Sequence, residues 1–362
     1  MSFAHLETPV PLVDLDRMDR NVSRMADYAR SHGLGLRPHI KTHKSPRVGA
    51  AQLAAGAVGL TCATPHELAV MHSVCDDLLL AYPPVGAAKI QRLLTGAGSA
   101  RLTVSLDAPS VVDALAAAAR AADRPIGIYV EIDVGMHRVG LPSIAEAIAL
   151  AQRVQASAPL TFAGIAYYPG HIREAVADQD ASMAALNDAL HAAIMAFERA
   201  GLRPPVVSGG STPTMFRTHE LRGVTEMRPG TYVYNDRTTA EIGACAWDDC
   251  AFTVLATVVS TAVPRQAVID AGTKALGREP VRGAAGEGFG ALLDRPEVIV
   301  SRMSEEHGIL DLTRTSWRPA VGEQVRVVPN HVCIVTHLND EIVGVRGDQI
   351  VERWPVAARG RA

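Results

Sequence analysis

The sequence predicts an α/β protein in which a (β/α)8 TIM-type barrel is followed by a mainly antiparallel β domain. Over the first two-thirds of the chain, eight short apolar runs alternate with alanine-rich helical segments. After about Ala244 the helical spacing disappears, and Val, Ile and Thr runs separated by Gly and Asp take over. The length of 362 residues suits one barrel with an additional domain.

The barrel strands are predicted from continuous rather than alternating apolar residues, which are typical of parallel strands buried on both faces. Eight such strands close a barrel. An open doubly wound sheet is the alternative, and the absence of a GxGxxG motif after the first run argues against it. The predicted strands are Leu36–Lys41, Val58–Thr64, Leu78–Pro83, Leu102–Asp107, Ile126–Val134, Phe162–Tyr168, Pro205–Gly209 and Glu226–Tyr234.

Two of the predicted helices have clear apolar spacing. The helix before the first run presents Met18, Val22 and Met25 on one face. The segment from about Asp178 to Ala200 repeats apolar residues every three or four positions. Gly201 follows it directly, at the place where a glycine C-cap is expected.

The β domain is predicted over residues 245–362 together with the N-terminal residues 1–14, which leaves 15–244 to the barrel. The stretch Arg278–Gly290 is rich in glycine and predicts a mobile loop. The predicted strands of this domain are Phe252–Val263, Ala267–Asp270, Val298–Val300, Gln324–Val328, His331–Val335 and Glu341–Arg346.

The composition excludes several classes of function. The chain has 35 Lys and Arg against 38 Asp and Glu, a net charge of −3, which argues against nucleic-acid partners. Its longest smooth apolar stretch, Thr253–Val263, is too short to span a bilayer, and no signal peptide is visible. The five cysteines are scattered and include no CxxC pair, which fits reduced thiols. We therefore expect a cytoplasmic enzyme without nucleic-acid or membrane partners.

The unusual motifs fall at the C-terminal ends of the predicted barrel strands. Functional residues of such barrels gather at this end, so the motifs predict one active site there. They are RPHIKTHK (37–44), EIDVGMHRVG (131–140), YYPGHI (167–172), SGGSTPT (208–214) and RPGTYVYND (228–236).

The motif SGGSTPT predicts a phosphate site. Its two glycines let backbone N–H groups approach an anion, and Ser211, Thr212 and Thr214 add hydroxyls at the start of a predicted helix. A glycine-rich turn with a Ser/Thr N-cap is the plainer interpretation. The position at the end of the seventh strand, a common phosphate position in barrels, favours phosphate.

Lys41 is predicted at the end of the first buried strand. A lysine that leaves an apolar strand into a cavity can form a Schiff base with a carbonyl cofactor. The alternative is a surface lysine, since Lys44 and Arg47 make this segment basic. Together with a phosphate site in the same barrel, Lys41 predicts pyridoxal 5'-phosphate as the cofactor.

The tripeptide His331-Val332-Cys333 predicts a metal site. On a strand, residues two apart face the same side, so an imidazole and a thiolate can bind one zinc ion. A buried cysteine beside a hydrogen-bonded histidine is the alternative. Cys245 and Cys250 form a second conceivable site, which we interpret as structural.

Taken together, these segments resemble the fold-type III pyridoxal-phosphate enzymes, in which an alanine racemase-like barrel precedes a β domain. Within that group the chain resembles the D-threonine aldolase/D-serine dehydratase family nearly from end to end. The motifs that carry the resemblance are TPVPLVDLD, RPHIKTHKS, DVGMHRVG, SGGSTPT, RPGTYVYND, DAGTKALG, SEEHG and PNHVC.

The resemblance implies a role for individual residues. Lys41 would form the Schiff base and act as the base at Cα, and His171, in a Gly-His pair similar to that of the dehydratases, would be catalytic. Arg138 would lie near the pyridine nitrogen, and Tyr168 beside the cofactor. The cofactor-binding set implied is Lys41, Arg138, Tyr168, Ser208, Gly209, Gly210, Ser211, Thr212 and Tyr234, and the metal pair is His331 and Cys333. The metal implied is zinc, with manganese or magnesium as alternatives.

The family contains two chemistries that start from D-3-hydroxy amino acids. Dehydratases release ammonia and a 2-oxo acid, whereas aldolases release glycine and an aldehyde. The His-x-Cys pair resembles the metal pair of the dehydratases. The aldolases instead have a pair similar to His-x-Asp, and they carry a histidine where this chain has Glu174. Tyr168 stands where the D-serine dehydratases tend to have histidine, which points the other way. The resemblance favours dehydration of a D-serine, D-threonine or 3-hydroxyaspartate-like substrate, with the aldolase as alternative and a D-amino-acid racemase as second alternative.

The resemblance also implies a homodimer whose active sites combine one barrel with the partner's β domain. Non-catalytic barrel proteins that bind pyridoxal phosphate are a further class to consider. They resemble a lone barrel, whereas this chain adds a β domain and a metal pair.

Overall fold

The computed structural model describes residues 3–281 and 287–360. The predicted mobile loop Arg278–Gly290 includes residues 282–286, which lie outside the described part of the chain. The α-helices are α1 (Leu15–Ser31), α2 (Pro46–Ala54), α3 (Pro65–Met71), α4 (Ala87–Gly96), α5 (Pro109–Ala121), α6 (Ile144–Gln155), α7 (Asp180–Arg199), α8 (Arg237–Glu241), α9 (Thr273–Leu276) and α10 (Val332–Leu338). Short 3-10 helices cover Ile40–Thr42, Val176–Asp178, Thr212–Glu220, Thr231–Val233 and Trp247–Asp249.

The strands form two sheets. Those of the first domain are β2 (Gly35–Leu36), β3 (Leu60–Cys62), β4 (Asp77–Leu80), β5 (Arg101–Leu106), β6 (Ile126–Glu131), β7 (Leu160–Ala166), β8 (Val206–Gly209) and β9 (Glu226–Met227). Those of the second sheet are β1 (Val10–Asp14), β10 (Phe252–Ser260), β11 (Gln266–Ile269), β12 (Gly290–Leu292), β13 (Arg295–Met303), β14 (Gly308–Asp311), β15 (Gln324–Pro329), β16 (Glu341–Arg346) and β17 (Gln349–Pro355).

The first sheet is the predicted barrel. Its eight strands are all parallel and follow the order β2-β9-β8-β7-β6-β5-β4-β3. A parallel bridge between His39 and Thr61 joins the two edges of this order. The α-helices between the strands bury their apolar faces on the outside of the sheet, as the long helix α7 does with Met183, Leu186 and Leu190. The prediction of a (β/α)8 barrel is confirmed.

The second sheet is almost entirely antiparallel, as predicted. Six of its strands follow the order β11-β14-β13-β12-β15-β10, and the pairing of β10 with β11 closes them into a small barrel. Strand β1 continues this sheet because Val10–Asp14 pairs antiparallel with β10. Closure leaves few exposed strand edges, which is how all-β domains avoid pairing with other chains.

Two barrel strands end well before their predicted ends, and one predicted strand of the β domain is absent. The first and eighth barrel strands end at Leu36 and Met227, after which Ile40–Thr42 and Thr231–Val233 form 3-10 turns. The predicted strand His331–Val335 is wrong, because Val332 begins helix α10. Val332 and Val335 are both fully buried, three residues apart as one helix face requires.

A buried charge network lies inside the barrel beneath the turn of residues 40–42. Arg37 Nε donates to Glu226 Oε2 at 2.8 Å, and Arg37 Nη1 donates to Asp77 Oδ1 at 2.9 Å. Ser208 Oγ donates to the other Glu226 oxygen at 2.6 Å. Because every charge is paired, this network can be buried and can hold strands β2, β4, β8 and β9 together.

The segment after Lys41 is held by a buried neutral histidine. His43 Nδ1 accepts the Ser45 N–H at 3.2 Å, and His43 Nε2 lies 3.2 Å from Gln52 Oε1. Burial lowers the pKa of His43 to about 3. Its imidazole is therefore neutral in the folded protein at neutral pH.

This histidine predicts a loss of stability in mild acid. An unfolded imidazole has a pKa of about 6.5, so the stability that His43 contributes is complete above that pH and is lost as the pH falls towards the folded-state value. Between about pH 7.5 and 5.5 we expect His43 to account for about 1 kcal/mol of lost unfolding free energy. Urea unfolding of wild type and His43→Asn at both pH values measures this, and equal losses in the two proteins would contradict it.

Among the described residues, no helix is both long enough and apolar enough to cross a bilayer. All five cysteines are free thiols in the structure.

Candidate active site

One cavity at the C-terminal ends of the barrel strands brings most of the predicted site residues together. It has about 1080 Å³ of empty space, including its open mouth. The barrel contributes residues from the ends of several strands, and the second domain contributes two. Its chemistry-bearing lining residues are His39, Lys41, Glu131, Arg138, Tyr168, Arg173, Gly210, Ser211, Thr212, Arg228, Thr231, Asp236, His331 and Cys333.

Lys41 lies in this cavity on the 3-10 turn Ile40–Thr42 rather than on the predicted strand. The Lys41 N–H donates to His39 Nδ1 at 3.4 Å. Burial, together with the charge of Lys41, lowers the pKa of His39 well below its ordinary value, so His39 is neutral. Since its Nδ1 accepts a hydrogen bond, the proton of His39 sits on Nε2.

Two cations contact the ring of Tyr168. Lys41 Nζ lies 5.7 Å from the ring centroid, and Arg138 Cζ lies 4.8 Å from it. The aromatic face attracts cations and so holds both side chains at the cavity. The predicted grouping of Lys41, Arg138 and Tyr168 is present in the structure.

The segment Gly210–Thr212 forms an anion cradle. Gly210 has a φ of +98°, a conformation that glycine adopts without strain. Within the described chain, no protein acceptor takes the N–H groups of Gly210, Ser211 and Thr212. Thr212 Oγ1 accepts the Thr231 N–H at 3.1 Å, which joins the cradle to the turn after the eighth strand. Free consecutive N–H groups of this kind are suited to a phosphate.

His331 and Cys333 also meet at the cavity, although they do not lie on a strand. His331 is the residue before helix α10, and Cys333 lies in its first turn. Thr42 Oγ1 lies 3.2 Å from Cys333 Sγ. Burial alone would raise the pKa of Cys333, but the neighbouring His331 and Lys41 and hydrogen bonding lower it to about 7. The thiol is thus readily ionised, as a metal ligand must be.

Asp236 fixes the orientation of His331. Its Oδ2 lies 3.1 Å from His331 Nδ1 and accepts the Val332 N–H at 3.1 Å. Its Oδ1 accepts the Thr239 N–H at 2.9 Å. With Nδ1 bonded to a buried carboxylate, Nε2 is the nitrogen available to a metal. No group of three or more His, Cys, Asp or Glu suited to a metal occurs in residues 3–281 and 287–360.

This arrangement predicts the effect of replacing Asp236. Asp236→Asn keeps the shape but weakens the acceptor, and partners of this kind typically contribute 10- to 100-fold to metal affinity. We therefore expect a roughly 10- to 100-fold weaker affinity for zinc. Competition with a chromogenic chelator measures it in wild type and variant. An unchanged zinc affinity would show that Asp236 does not support the metal ligand.

Four predicted residues do not line the cavity. Ser208 instead donates to Glu226 inside the barrel, and Gly209 packs directly against the Tyr167 ring. His171 is exposed beside Gly135, because its neighbours Gly170 and Ile172 take the cavity side of the turn.

Tyr234 is the fourth of these residues. The eighth strand gives way to a 3-10 turn, which directs Tyr234 into the core, where its ring lies 5.6 Å from Phe252. Thr231 takes the place beside the cradle that was predicted for Tyr234.

Sequence reasoning missed several lining residues. Arg228 is buried and donates Nη2 to the Tyr167 carbonyl at 3.0 Å, whereas its Nη1 has no partner among the described residues. The RPG motif after the eighth strand could have indicated Arg228. Asp236 closes the same motif, and only the fold shows that it contacts His331. Arg173 had no signal beyond its place near Tyr168.

Comparisons with known proteins agree with this fold. The chain matches the family Alanine racemase, N-terminal domain, over residues 13–238 and a serine dehydratase domain family over residues 251–345. It is 33% identical to D-threo-3-hydroxyaspartate dehydratase of Delftia sp. (strain HT23), over 96% of this chain and 97% of that protein. It is 32% identical to 3-hydroxy-D-aspartate aldolase of Paracoccus denitrificans (strain Pd 1222), over 100% of this chain and 94% of that protein.

A solved structure extends the likeness to three dimensions. The crystal structure of D-threonine aldolase from Filomicrobium marinum superposes with a TM-score of 0.90 at 33% identity, covering 98% of this chain and 96% of that one. Barrel, cradle and β domain thus define a fold-type III, alanine racemase-like enzyme. Within that class the chain belongs to the D-threonine aldolase/D-serine dehydratase family, whose members are pyridoxal-phosphate-dependent lyases.

Proposed function

We propose that this protein is a lyase that depends on pyridoxal phosphate and a divalent metal and dehydrates D-3-hydroxy amino acids to a 2-oxo acid and ammonia. The observation that carries the proposal is the single cavity shared by Lys41, the anion cradle and the His331/Cys333 pair. The names of the two relatives reported above describe enzymes that act on hydroxylated D-amino acids, which supports the same substrate class here.

The residues present fit pyridoxal phosphate. The three free N–H groups of Gly210–Thr212 match a phosphate, and the Lys41 amine matches an aldehyde. Arg228 offers a buried Nη1 without a protein partner, which is costly unless a ligand accepts its hydrogen bond. Arg138, stacked on Tyr168, offers the second guanidinium.

The residues also fit a divalent metal. A thiolate and an imidazole are ligands that zinc accepts, so zinc is the ion we propose, with manganese or magnesium as alternatives. Variants of D-threo-3-hydroxyaspartate dehydratase have been solved in which a histidine, or the cysteine two residues after it, is replaced by alanine, and the cysteine variant is in the metal-free form. His331 and Cys333 have the same spacing, which supports this assignment.

The chain's own residues have the following tasks. When bound, pyridoxal phosphate withdraws electrons from the α-carbon of the amino acid, and the metal polarises the C3 hydroxyl. Lys41 Nζ removes the Cα proton. His39 accepts the backbone N–H of Lys41, and Nζ itself lies 5.7 Å from the centroid of the Tyr168 ring. His331 and Cys333 would hold the metal that polarises the C3 hydroxyl, and the cradle would hold the phosphate end of the cofactor.

The cavity favours dehydration over aldol cleavage. Cleavage needs a base that takes the proton of the C3 hydroxyl. By the resemblance described above, the aldolases carry a histidine for this task at the position of Glu174. Glu174 does not line the cavity here, and its Oε2 accepts the Arg173 N–H at 2.9 Å. Cleavage to glycine and an aldehyde remains the second candidate, because Tyr168 lies at the cavity and the solved D-threonine aldolase is closely similar.

Consumption of matched substrates tests the proposed class of reaction. With pyridoxal phosphate and zinc supplied, we expect D-threonine to be consumed, whereas L-threonine and D-2-aminobutanoate persist. D-2-aminobutanoate differs from D-threonine only in lacking the hydroxyl. Its conversion to the L-enantiomer, followed by chiral chromatography, would identify a racemase and contradict the proposal.

We further propose that the protein is a cytoplasmic homodimer whose two subunits share their active sites. The cavity has an open mouth that a second subunit could complete, and a thiol that binds metal suits a reducing compartment. Equilibrium sedimentation tests the assembly, and a fully active monomer would contradict it.

A further inference from the structure

Four lysine and arginine side chains line the cavity, and three of them have a task. Lys41 and Arg138 contact the Tyr168 ring, and Arg228 is buried against the Tyr167 carbonyl. The fourth, Arg173, uses Nε to donate to the Gly170 carbonyl at 2.7 Å. Across residues 3–281 and 287–360, its two terminal nitrogens have no carboxylate, carbonyl or ring as partner.

The acidic residues of the cavity do not neutralise Arg173. Glu131 accepts a hydrogen bond from Ser105 at 2.8 Å, and Asp236 is committed to His331 and helix α10. Since Arg173 is exposed whereas Arg228 is buried, Arg173 lies towards the mouth. The Nε bond to Gly170 fixes the orientation of the guanidinium plane while its two Nη groups stay free.

We propose that Arg173 is the specificity-determining residue of this site and selects substrates that carry a second carboxylate on C3, as 3-hydroxyaspartate does. A fixed guanidinium binds a carboxylate through two parallel N–H···O bonds, which a hydroxymethyl or methyl substituent cannot make. Lys41 and Arg173 line the same cavity, so a substrate that reacts at Lys41 is bound in the space that Arg173 faces. This inference rests on the proposed function and deepens it.

Kinetic comparison of two substrates tests the inference. We expect the wild-type holoenzyme to have a higher kcat/KM for D-threo-3-hydroxyaspartate than for D-threonine. In Arg173→Gln, kcat/KM for the dicarboxylate should fall roughly 10- to 100-fold, mainly through KM, the size expected for a charged hydrogen-bonded pair. The value for D-threonine should change less than about threefold. Arg199→Gln, an exposed arginine at the end of helix α7, should leave both unchanged.

Calorimetric titration with unreactive acids gives a readout that does not depend on turnover. Succinate carries two carboxylates and propionate one. We expect Arg173→Gln to weaken succinate binding roughly 10- to 100-fold and to leave propionate binding unchanged. Equal weakening of both acids, or equal loss with both substrates, would place Arg173 on the α-carboxylate or in the fold and overturn the inference.

The failures of the two proposals are distinguishable. A wild type that prefers D-threonine to the dicarboxylate overturns the role of Arg173 but leaves the lyase standing. A wild type that consumes no D-3-hydroxy acid overturns the proposed function, and the succinate titration then decides the role of Arg173 by itself.

Discussion

Replacing Lys41 by alanine is expected to lower turnover of D-threonine by roughly 1,000-fold or more, because one side chain serves as both cofactor anchor and base. Lys41 is the lining residue whose amine can react with an aldehyde, and it lies in the same cavity as the free N–H groups of Gly210–Thr212. Loss of the amine therefore removes both functions together, whereas the cradle can still bind the phosphate end. Initial rates at saturating cofactor measure the effect.

Lys89→Ala is the matched control for this change. Lys89 is a barrel lysine whose Nζ lies 4.7 Å from the exposed Tyr82 ring, and it does not line the cavity. We expect the control to keep wild-type rates. Borohydride reduction of the cofactor-loaded wild type, followed by peptide mass analysis, should place the cofactor on Lys41. Turnover that persists in Lys41→Ala would refute the catalytic assignment.

Removing the metal is the second change with a large expected effect. Chelation, His331→Ala or Cys333→Ala should each lower dehydration by roughly 1,000-fold, since a metal contributes several kcal/mol to a departing oxygen. Added zinc should restore the chelated wild type but not the variants. Cofactor absorbance should be retained in all three, because the cradle and Lys41 are untouched.

Cys245→Ser provides the control for thiol loss, since Cys245 does not line the cavity. Its Sγ donates to Thr239 Oγ1 at 3.6 Å, a bond that serine can also make. Full activity after zinc extraction, confirmed by metal analysis of the same sample, would show that His331 and Cys333 hold no catalytic metal.

The barrel and the β domain could be predicted because their signals are local. Parallel strands buried on both faces are continuously apolar, whereas the strands of the antiparallel domain are separated by glycine turns. The sequence pattern alone therefore distinguishes the two domains. The strand ends could not be predicted in the same way. The predicted first and eighth strands extend beyond Leu36 and Met227, but the chain forms 3-10 turns at Ile40–Thr42 and Thr231–Val233 instead.

The helix at the metal pair shows how tertiary contacts override local preference. The β-branched residues Val332, Ile334 and Val335 favour a strand. The chain forms a helix because Asp236, almost a hundred positions away, accepts the Val332 N–H, and Val332 and Val335 bury one helical face. His331 and Cys333 do meet at one cavity, although the strand argument for their convergence was wrong.

The residues that were misplaced share one cause. Ser208, His171 and Tyr234 lie within motifs that do reach the cavity, but neighbouring residues of a turn face opposite ways. Sequence alone identifies the motif, and the backbone decides which member faces the ligand. Asp236 was missed because its role depends on His331, a partner distant in sequence. Arg173 was missed because only the fold shows that its Nε is bonded and that its terminal nitrogens have no partner among the described residues.

Product analysis after incubation with D-threonine tests the central claim most directly. The wild type loaded with pyridoxal phosphate and zinc is predicted to form 2-oxobutanoate and ammonia in equal amounts. These products require elimination of the C3 hydroxyl, for which the His331/Cys333 pair and Lys41 are placed in one cavity. Glycine and acetaldehyde in place of these products would contradict the dehydratase assignment and show that a cysteine ligand does not dictate elimination.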